Sequence, residues 1–193
     1  MRRSLPGLAA SLVAVLAACL YVSTLLPGFD LGDTASFQTM VGSPYLTPRD
    51  AYPLYYVVGN LCLWLIGGEP ARAMNLASAL MAALACGLIV LVATELAGSV
   101  LAGVAAALLF GGSYTFWSQA IIAEVYALHI FLVALVLWGL LRWEAQPSPQ
   151  RLATFFAACA LAFGNHLSTI LLEPGLVCFL CVVAPGGWRA VLA

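Results

Sequence analysis

The sequence predicts an all-α integral membrane protein with about six transmembrane helices, and three observations carry this prediction. Hydrophobic residues make up 64% of the 193 residues, against about 45–50% in soluble domains. Charged residues make up 8%, about a third of the usual share of about 25%. The apolar residues also form runs, several of which reach the roughly 20 residues that a helix needs to cross a bilayer. We therefore expect one transmembrane domain over residues 1–193, in contact with membrane lipid. The net charge of −1 gives no reason to expect a nucleic-acid partner.

The first apolar run predicts a transmembrane helix at 6–26. Arg2 and Arg3 precede it, as in a signal peptide, and residues 16–19 resemble a lipoprotein processing site. The apolar sequence nevertheless continues past Cys19 to Leu26, which gives about 20 residues, enough to span the bilayer. We favour an uncleaved helix over a cleaved signal segment.

A long loop is predicted at 27–70, on the periplasmic side, with a second helix inside it. Residues 52–66 are apolar but short, and they contain Gly59 and Asn60. A run of this length predicts an interfacial helix rather than a span.

The remaining apolar runs predict five more spans. The run at 99–116 is rich in Gly and Ala, which favours close helix packing. The last apolar stretch is too long for one helix, and Asn165-His166 and Glu173-Pro174 interrupt it. The predicted spans are 71–96, 99–116, 123–143, 152–164 and 168–184.

The arginines predict the orientation. If 52–66 does not cross and the N-terminus is cytoplasmic, five of the seven arginines are cytoplasmic, and Arg49 and Arg72 lie outside. If 52–66 crosses, three are cytoplasmic and four lie outside. The positive-inside tendency favours the first arrangement. We expect a multi-pass protein of the cell inner membrane with both termini cytoplasmic.

This orientation brings most of the unusual polar residues to one membrane face. The loop of Asp30 and Asp33 lies outside, as do the turn before Glu124 and the break at Asn165-His166; Glu95 is the exception. Polar residues that converge at one face of a membrane protein indicate a functional site.

Asp30 and Asp33 are the catalytic candidates. On a helical turn, residues three apart share a face. The two carboxylates could bind a divalent cation together, or one could raise the pKa of the other so that it acts as a base. The alternative is a pair of solvated loop acids that help to set the topology. No cofactor and no metal ligand set follow from the sequence with certainty.

Other polar residues flank the predicted spans. Glu124 opens one span, and His129 lies about 7.5 Å deeper and about 140° around the helix, too far for a direct bond. Tyr126 could be an interfacial anchor. Asn165 and His166 could form a polar clamp between helices or contact a ligand, since both would be costly facing lipid.

The order of several short motifs resembles the protein O-mannosyltransferase-like family of multi-pass membrane proteins, which is similar to C-type glycosyltransferases. The resemblance covers about residues 10–185. It rests on Asp-Leu-Gly-Asp at 30–33, Tyr-Pro-Leu-Tyr at 52–55, Arg-Ala-Met-Asn-Leu at 72–76, Trp117, Ala-Glu-Val-Tyr-Ala-Leu-His at 123–129, Gly-Asn-His-Leu at 164–167 and Pro174.

The match is close but not complete. Asp30 stands at the aspartate of the family's Asp-x-Gly-Glu, and Asp33 stands where that pattern has Glu. The His-Pro that usually precedes Tyr-Pro-Leu-Tyr is absent, because residues 47–51 read Thr-Pro-Arg-Asp-Ala. The positions that match without change are Glu124, Tyr126, His129, Asn165 and His166. C-type enzymes generally have more spans than the six predicted here, so we expect a truncated or reduced member.

The resemblance implies inverting transfer of a mannose-like sugar from a polyprenyl-phosphate donor to a hydroxyl of a protein or glycan acceptor, on the periplasmic face. Asp30 or Asp33 would be the general base. Positive or hydrogen-bonding groups would hold the departing lipid phosphate. The implied substrate-binding residues are Arg49, Tyr52, Arg72, Glu124, Tyr126, His129, Asn165 and His166.

Other functions remain open. A small transporter or a lipid-binding assembly subunit would use the intramembrane polar residues as an ion path or a contact surface. Against a transporter, the polar residues gather at one face and no inverted repeat is visible. An inactive, truncated glycosyltransferase is the third possibility.

Overall fold

The structure, a computed structural model, describes residues 5–43 and 52–184. Every regular element in these two ranges is a helix, as the all-α prediction requires. The α-helices are α1 (Leu5–Ser23), α2 (Asp33–Met40), α3 (Pro53–Ile66), α4 (Pro70–Ala97), α5 (Val100–Gly111), α6 (Tyr114–Ala120), α7 (Val125–Ala145), α8 (Pro149–Asn165) and α9 (Glu173–Val183), and a 3-10 helix covers Leu167–Leu171.

Three of the described helices, α1, α4 and α7, are long and apolar enough to cross a membrane. They correspond to the spans predicted at 6–26, 71–96 and 123–143. The count rises to four if α5 and α6, which bend by 69° at a short break, form one broken span. These apolar helices confirm the membrane class of the protein.

The sequence predicted one continuous span at 99–116, but the structure divides this run into α5 and α6. Gly111 ends α5, and Ser113 begins α6 by accepting a hydrogen bond from the Phe116 amide at its side-chain oxygen, at 3.4 Å. The glycine pair before Ser113 lowers the cost of leaving the helix, and the serine caps the helix that follows. The sequence predicted the apolar run correctly and missed the turn inside it.

The last two predicted spans are shorter in the structure than a bilayer requires. α8 has 17 residues and α9 has 11, or about 25 Å and about 16 Å at the usual rise per residue. The hydrocarbon core is about 30 Å thick. Length and composition therefore support three to four spans in the described ranges, where the sequence predicted six.

The predicted helix at 52–66 is present as α3, which begins at Pro53 and ends at Ile66. A proline in the first helical turn suits α3 because its missing N–H would have no partner there. Proline also lies in the first turn of α9, behind Glu173, as expected from the Glu-Pro pair.

Helix α4 lies at the centre of the packing, against α1, α5 and α7. Its contact faces are rich in small residues. A Cβ added at Gly87 would lie 3.2 Å from the Ala10 carbonyl of α1, and one at Gly103 of α5 would lie 2.5 Å from the Val90 carbonyl of α4. Lipid tails are as apolar as helix side chains, so the hydrophobic effect does not drive helices together in a membrane. Small residues instead let the helix backbones approach closely and pack. The packing predicted from the Gly/Ala-rich run is confirmed.

One end of the helix group collects the polar connections, and we call it the polar end. Here the Leu26 amide donates to the Ile121 carbonyl at 3.1 Å, and the Trp117 indole donates to Thr24 at 3.0 Å. The first loop and the turn before α7 therefore meet, as predicted. The opposite end carries Arg142 beside Glu95, at 3.7 Å.

Candidate functional site

The two first-loop aspartates do not share a helical face. Asp33 is the first residue of α2, whereas Asp30 lies in the loop before it. Gly32 stands between them with φ +67°, a backbone conformation that glycine adopts at little cost. The prediction that they share a face on one helical turn is therefore wrong for Asp30. Asp33 is exposed and Asp30 is half-buried.

Two buried amides, Gln38 and Asn75, hold the loop that carries Asp30, and we call them the amide clamp. Gln38 accepts from the Asp30 amide at 3.1 Å and donates to Asn75 Oδ1 at 2.9 Å. Asn75 donates to the carbonyls of Leu26 and Gly28 at 3.0 and 3.3 Å. Both clamp residues are fully buried. Buried amides whose bonds are made fix local geometry, because each lost partner is costly.

Glu124 lies against the aspartates at the start of α7. Its carboxylate accepts from the Thr34 hydroxyl of α2 at 2.9 Å. Burial raises the pKa of Glu124, and the charges of Asp33 and Asp30 raise it further, while the Thr34 bond opposes the shift. The structure therefore gathers three carboxylates from two chain segments: Asp30 and Asp33 from the end of the first loop and the start of α2, and Glu124 from the start of α7.

The Tyr55 phenol is buried behind this acidic group. Burial raises its pKa, and the Glu124 charge adds to the shift. Within the described ranges its hydroxyl makes no hydrogen bond of good geometry. The side chain is held by its ring, which packs edge-on against Phe37 of α2 at 5.1 Å between ring centres.

The two histidines meet through a serine that the sequence did not single out. Ser168 Oγ lies 2.7 Å from His166 Nδ1 and 3.2 Å from His129 Nε2. The Ser168 amide also donates to His166 Nδ1, at 3.1 Å. The histidine rings lie 5.0 Å apart, so residues from α7 and from the end of α8 form one group, the histidine pair.

Aromatic rings cover one side of the histidine pair. Tyr52 stacks on His166 with ring centres 5.3 Å apart and planes inclined by 28°. Phe37 packs edge-on against Tyr52 at 5.9 Å, and Tyr126 lies 6.0 Å from His166. Tyr52 has φ +67°, which a bulky side chain adopts under strain. Strain of this kind is concentrated at functional sites.

Asn165 acts as a clamp between helices. Its Nδ2 donates to the Val125 carbonyl at 3.3 Å, and the residue is 1% exposed. Its Oδ1 is buried with no hydrogen-bond partner in the described chain. Asn165, His166 and Tyr52 line a cavity of about 280 Å³. Of the two interpretations that the sequence left open, the clamp is present and the cavity leaves room for a ligand.

The remaining predicted site residues are the two arginines. Arg49 lies outside the described residues. Arg72 is exposed in the first turn of α4, and no described residue forms an ion pair with it. Groups of three or more His, Cys, Asp or Glu side chains placed to hold a metal ion are absent from the described ranges.

A comparison with known families identifies the class of the chain. Residues 50–185 match the family described as "Protein O-mannosyl-transferase TMEM260 N-terminal domain". The chain belongs to this family.

A curated relative agrees with the TMEM260 family match. The chain is 32% identical over 171 residues to the protein O-mannosyl-transferase TMEM260 of Mus musculus, and the match covers 82% of the chain. It covers 24% of the mouse protein, so the chain spans about a quarter of the length of that relative. No solved structure matches the chain.

Four contributors to the site carry no signal that a single sequence could reveal: Thr34, Gln38, Asn75 and Ser168. Each is a common polar residue whose role depends on a partner far away in the chain; Gln38 and Asn75 are 37 residues apart. Asn75 does lie within the 72–76 motif of the TMEM260-like pattern, which is the one hint available. The predicted residues Asp30, Asp33 and Glu124 form one group, and Tyr52, Tyr126, His129, Asn165 and His166 form the other.

Proposed function

We propose that this chain is the membrane module of a glycosyltransferase that moves a mannose-like sugar from a polyprenyl-phosphate donor to an acceptor hydroxyl. The observation that carries the proposal is that the carboxylate group and the histidine pair both contact the start of α7, through Glu124 and His129, in a chain of the TMEM260 O-mannosyl-transferase family. A hydroxyl is a poor nucleophile, and a carboxylate within reach of its proton supplies general-base catalysis.

Asp33 is the proposed base. It is exposed where an acceptor can approach, and no described residue donates a hydrogen bond to its carboxylate. The Asp30 carboxylate instead accepts from the Leu31 amide at 2.8 Å, and its loop is held by the amide clamp. Asp30 is therefore better suited to shaping the loop than to taking a proton.

Arg72 is the proposed partner of the donor phosphate. Among the described arginines, Arg142 lies beside Glu95, and Arg151 donates to the Arg142 carbonyl at 2.9 Å. Arg72 has no such partner among the described residues, and it stands in the first turn of α4, close in sequence to Asn75 of the amide clamp. An unpaired guanidinium can bind phosphate through two N–H groups at once.

The polar end is proposed to face away from the cytoplasm, in the inner membrane, with both termini cytoplasmic. The arginine distribution supports this orientation, and Arg142 and Arg151 lie at the opposite end from the carboxylates. A lipid-linked donor would then deliver its sugar on the outer face, and a protein or glycan acceptor would approach from the same side.

A transfer assay in membranes that contain the chain tests the proposal. Labelled polyprenyl-phosphate mannose is supplied to wild type, Asp33→Asn and Asp30→Asn, with Glu69→Gln, an exposed acid between α3 and α4, as the control. We expect Asp33→Asn to lose about 10²–10⁴-fold in rate with insertion unchanged, and Glu69→Gln to match wild type.

Two results would count against the proposal. Wild-type rates in Asp33→Asn and Asp30→Asn would remove the first-loop base. Absence of transfer by correctly inserted wild type would instead favour an inactive member or a lipid-binding subunit.

A further inference from the structure

The cavity between Tyr52 and Asn165 differs in character from the acidic group beside it. Its described lining contains no charged side chain: aromatic, aliphatic and amide groups surround about 280 Å³ of space. Ligand pockets usually have about 300–1,000 Å³, so this cavity has room for one ring-sized group. A neutral lining of this kind favours a neutral occupant, because an ion would lose hydration without gaining a counter-charge.

The hydrogen-bonding groups of the cavity can be assigned from their existing partners. A backbone amide can only donate, and the Ser168 amide donates to His166 Nδ1. The neutral His166 ring therefore carries its proton on Nε2, which becomes a donor. Asn165 uses Nδ2 on the Val125 carbonyl, so its unpaired atom is the acceptor Oδ1. The cavity wall thus offers a hydrogen-bond donor at His166, whereas the Asn165 Oδ1 acceptor is buried behind it rather than open to the cavity.

This lining suits a hydroxyl-bearing ring and does not suit a phosphate. A sugar hydroxyl can accept the His166 Nε2–H bond and brings no charge into the cavity. A phosphate would lose hydration in a lining that has no described counter-charge. The stacked Tyr52 and His166 rings add an aromatic wall, whose negative face attracts the slightly positive C–H groups of a sugar ring.

We infer that this cavity binds the sugar ring of the donor, with Tyr52 as the stacking platform and with His166 as the residue that donates to a sugar hydroxyl. The inference rests on the proposed function for its donor, and it divides that donor between two places: the phosphate lies at Arg72 and the neutral ring lies against Tyr52. Ser168 acts as a positioning residue, because it fixes the tautomer and the tilt of His166.

A binding experiment with two lipids isolates the sugar contribution. The chain in lipid nanodiscs is titrated with polyprenyl phosphate and with polyprenyl-phosphate mannose of the same chain length, and the ratio of the two Kd values is recorded. We expect wild type to bind the mannosylated lipid about tenfold more tightly, which corresponds to about 1.4 kcal/mol. Tyr52→Ala should bring the ratio to about 1, while the affinity for polyprenyl phosphate itself stays unchanged.

Two further variants distinguish the loss of a specific contact from misfolding. Tyr52→Phe keeps the ring and should keep most of the preference. Tyr114→Ala removes a tyrosine that is 87% exposed and does not line the cavity, and it should keep the wild-type ratio. A Tyr52→Ala variant that still prefers the mannosylated lipid, or that weakens both lipids equally, would overturn the inference, as would equal binding of both lipids by wild type.

Failure of the inference and failure of the proposed function can be told apart. Asp33→Asn should abolish transfer and keep the mannose preference, because binding needs no base. If no variant transfers sugar but the preference depends on Tyr52, the sugar subsite stands and the catalytic proposal falls. If wild type transfers sugar with no preference between the lipids, the catalytic proposal stands and the sugar subsite falls.

Discussion

The two halves of α4 are stabilised in different ways. Near its start, Asn75 and Ser78 are fully buried and bond to the first loop and to the turn before α7, at Gly28 and Glu124. Further along, α4 packs through small residues, with Gly87 against Ala10 and Val90 against Gly103. Directed hydrogen bonds dominate the first half, and close packing of small residues dominates the second.

The difference separates the part of the molecule that shapes the site from the part that holds the helices together. Hydrogen bonds fix a partner and a direction, so the polar half of α4 determines where the Asp30 loop lies. Close packing of small residues sets the distance between helices and does not depend on the hydrogen bonds at the polar end. Substitutions in the first half should therefore change activity, and those in the second half should change only stability.

The largest effect is expected at the amide clamp. Gln38→Leu leaves the Asp30 amide and Asn75 Oδ1 without partners, at about 1–3 kcal/mol for each buried group. Thermal unfolding in detergent should show the loss of stability, and the transfer rate should fall at temperatures where the variant is still folded. Thr39→Ala changes an exposed side chain of the same helix, and it should leave the unfolding temperature and the transfer rate unchanged. A stable Gln38→Leu variant with full activity would contradict the division of α4.

An intermediate effect is expected in the small-residue half. In Gly103→Ala the new methyl group would collide with the Thr94 hydroxyl and lie 2.5 Å from the Val90 carbonyl. Overpacking of this kind costs about 1–3 kcal/mol of folding stability. It should lower the unfolding temperature without changing the sugar-transfer rate of the protein that remains folded.

Gly7→Ala is the matched control for that change, since a methyl group there meets open space. It should leave stability equal or raise it by up to about 1 kcal/mol, because alanine suits a helix better than glycine. If Gly103→Ala behaved like Gly7→Ala, the close approach of α5 to α4 would be wrong.

The smallest effect is a pH dependence at Glu124. Burial and the nearby Asp33 and Asp30 charges raise its pKa above the ordinary value of 4.5. The folded protein then binds more protons than the unfolded one, so this group's contribution to stability is full below 4.5 and is lost as the pH rises through the raised value. Glu124→Gln keeps an acceptor for Thr34 and removes the titration.

Melting curves across this range test the sign. Wild type and Glu69→Gln should lose stability with rising pH, and Glu124→Gln should lose less. Parallel curves for all three proteins would show that Glu124 titrates as an ordinary surface acid.

The spans α1, α4 and α7 could be predicted because an apolar run of about 20 residues has few alternatives. The sequence also predicted that Asp33, Glu124 and His166 lie at one end, because the arginine distribution favours one alternation of the predicted spans. The break after Gly111 was missed because glycine and serine inside an apolar run are equally common in continuous, closely packed helices.

The hydrogen bonds within the first loop could not be predicted from the sequence, for a different reason. Gln38 could have faced solvent, and nothing local distinguishes it from Thr39 beside it. Its buried position depends on Asn75, which lies in another helix. Ser168 is similar, because its role depends on two histidines that only the folded chain brings within hydrogen-bond distance of one hydroxyl.

The first turns of α7 touch both groups of the site within a few residues. Glu124 receives the Thr34 bond, the Val125 carbonyl receives Asn165, and His129 meets Ser168. Thr34, Asn165 and Ser168, which come from other segments, therefore all bond to the start of one helix. The two groups of the site thus keep a common reference when neighbouring helices shift.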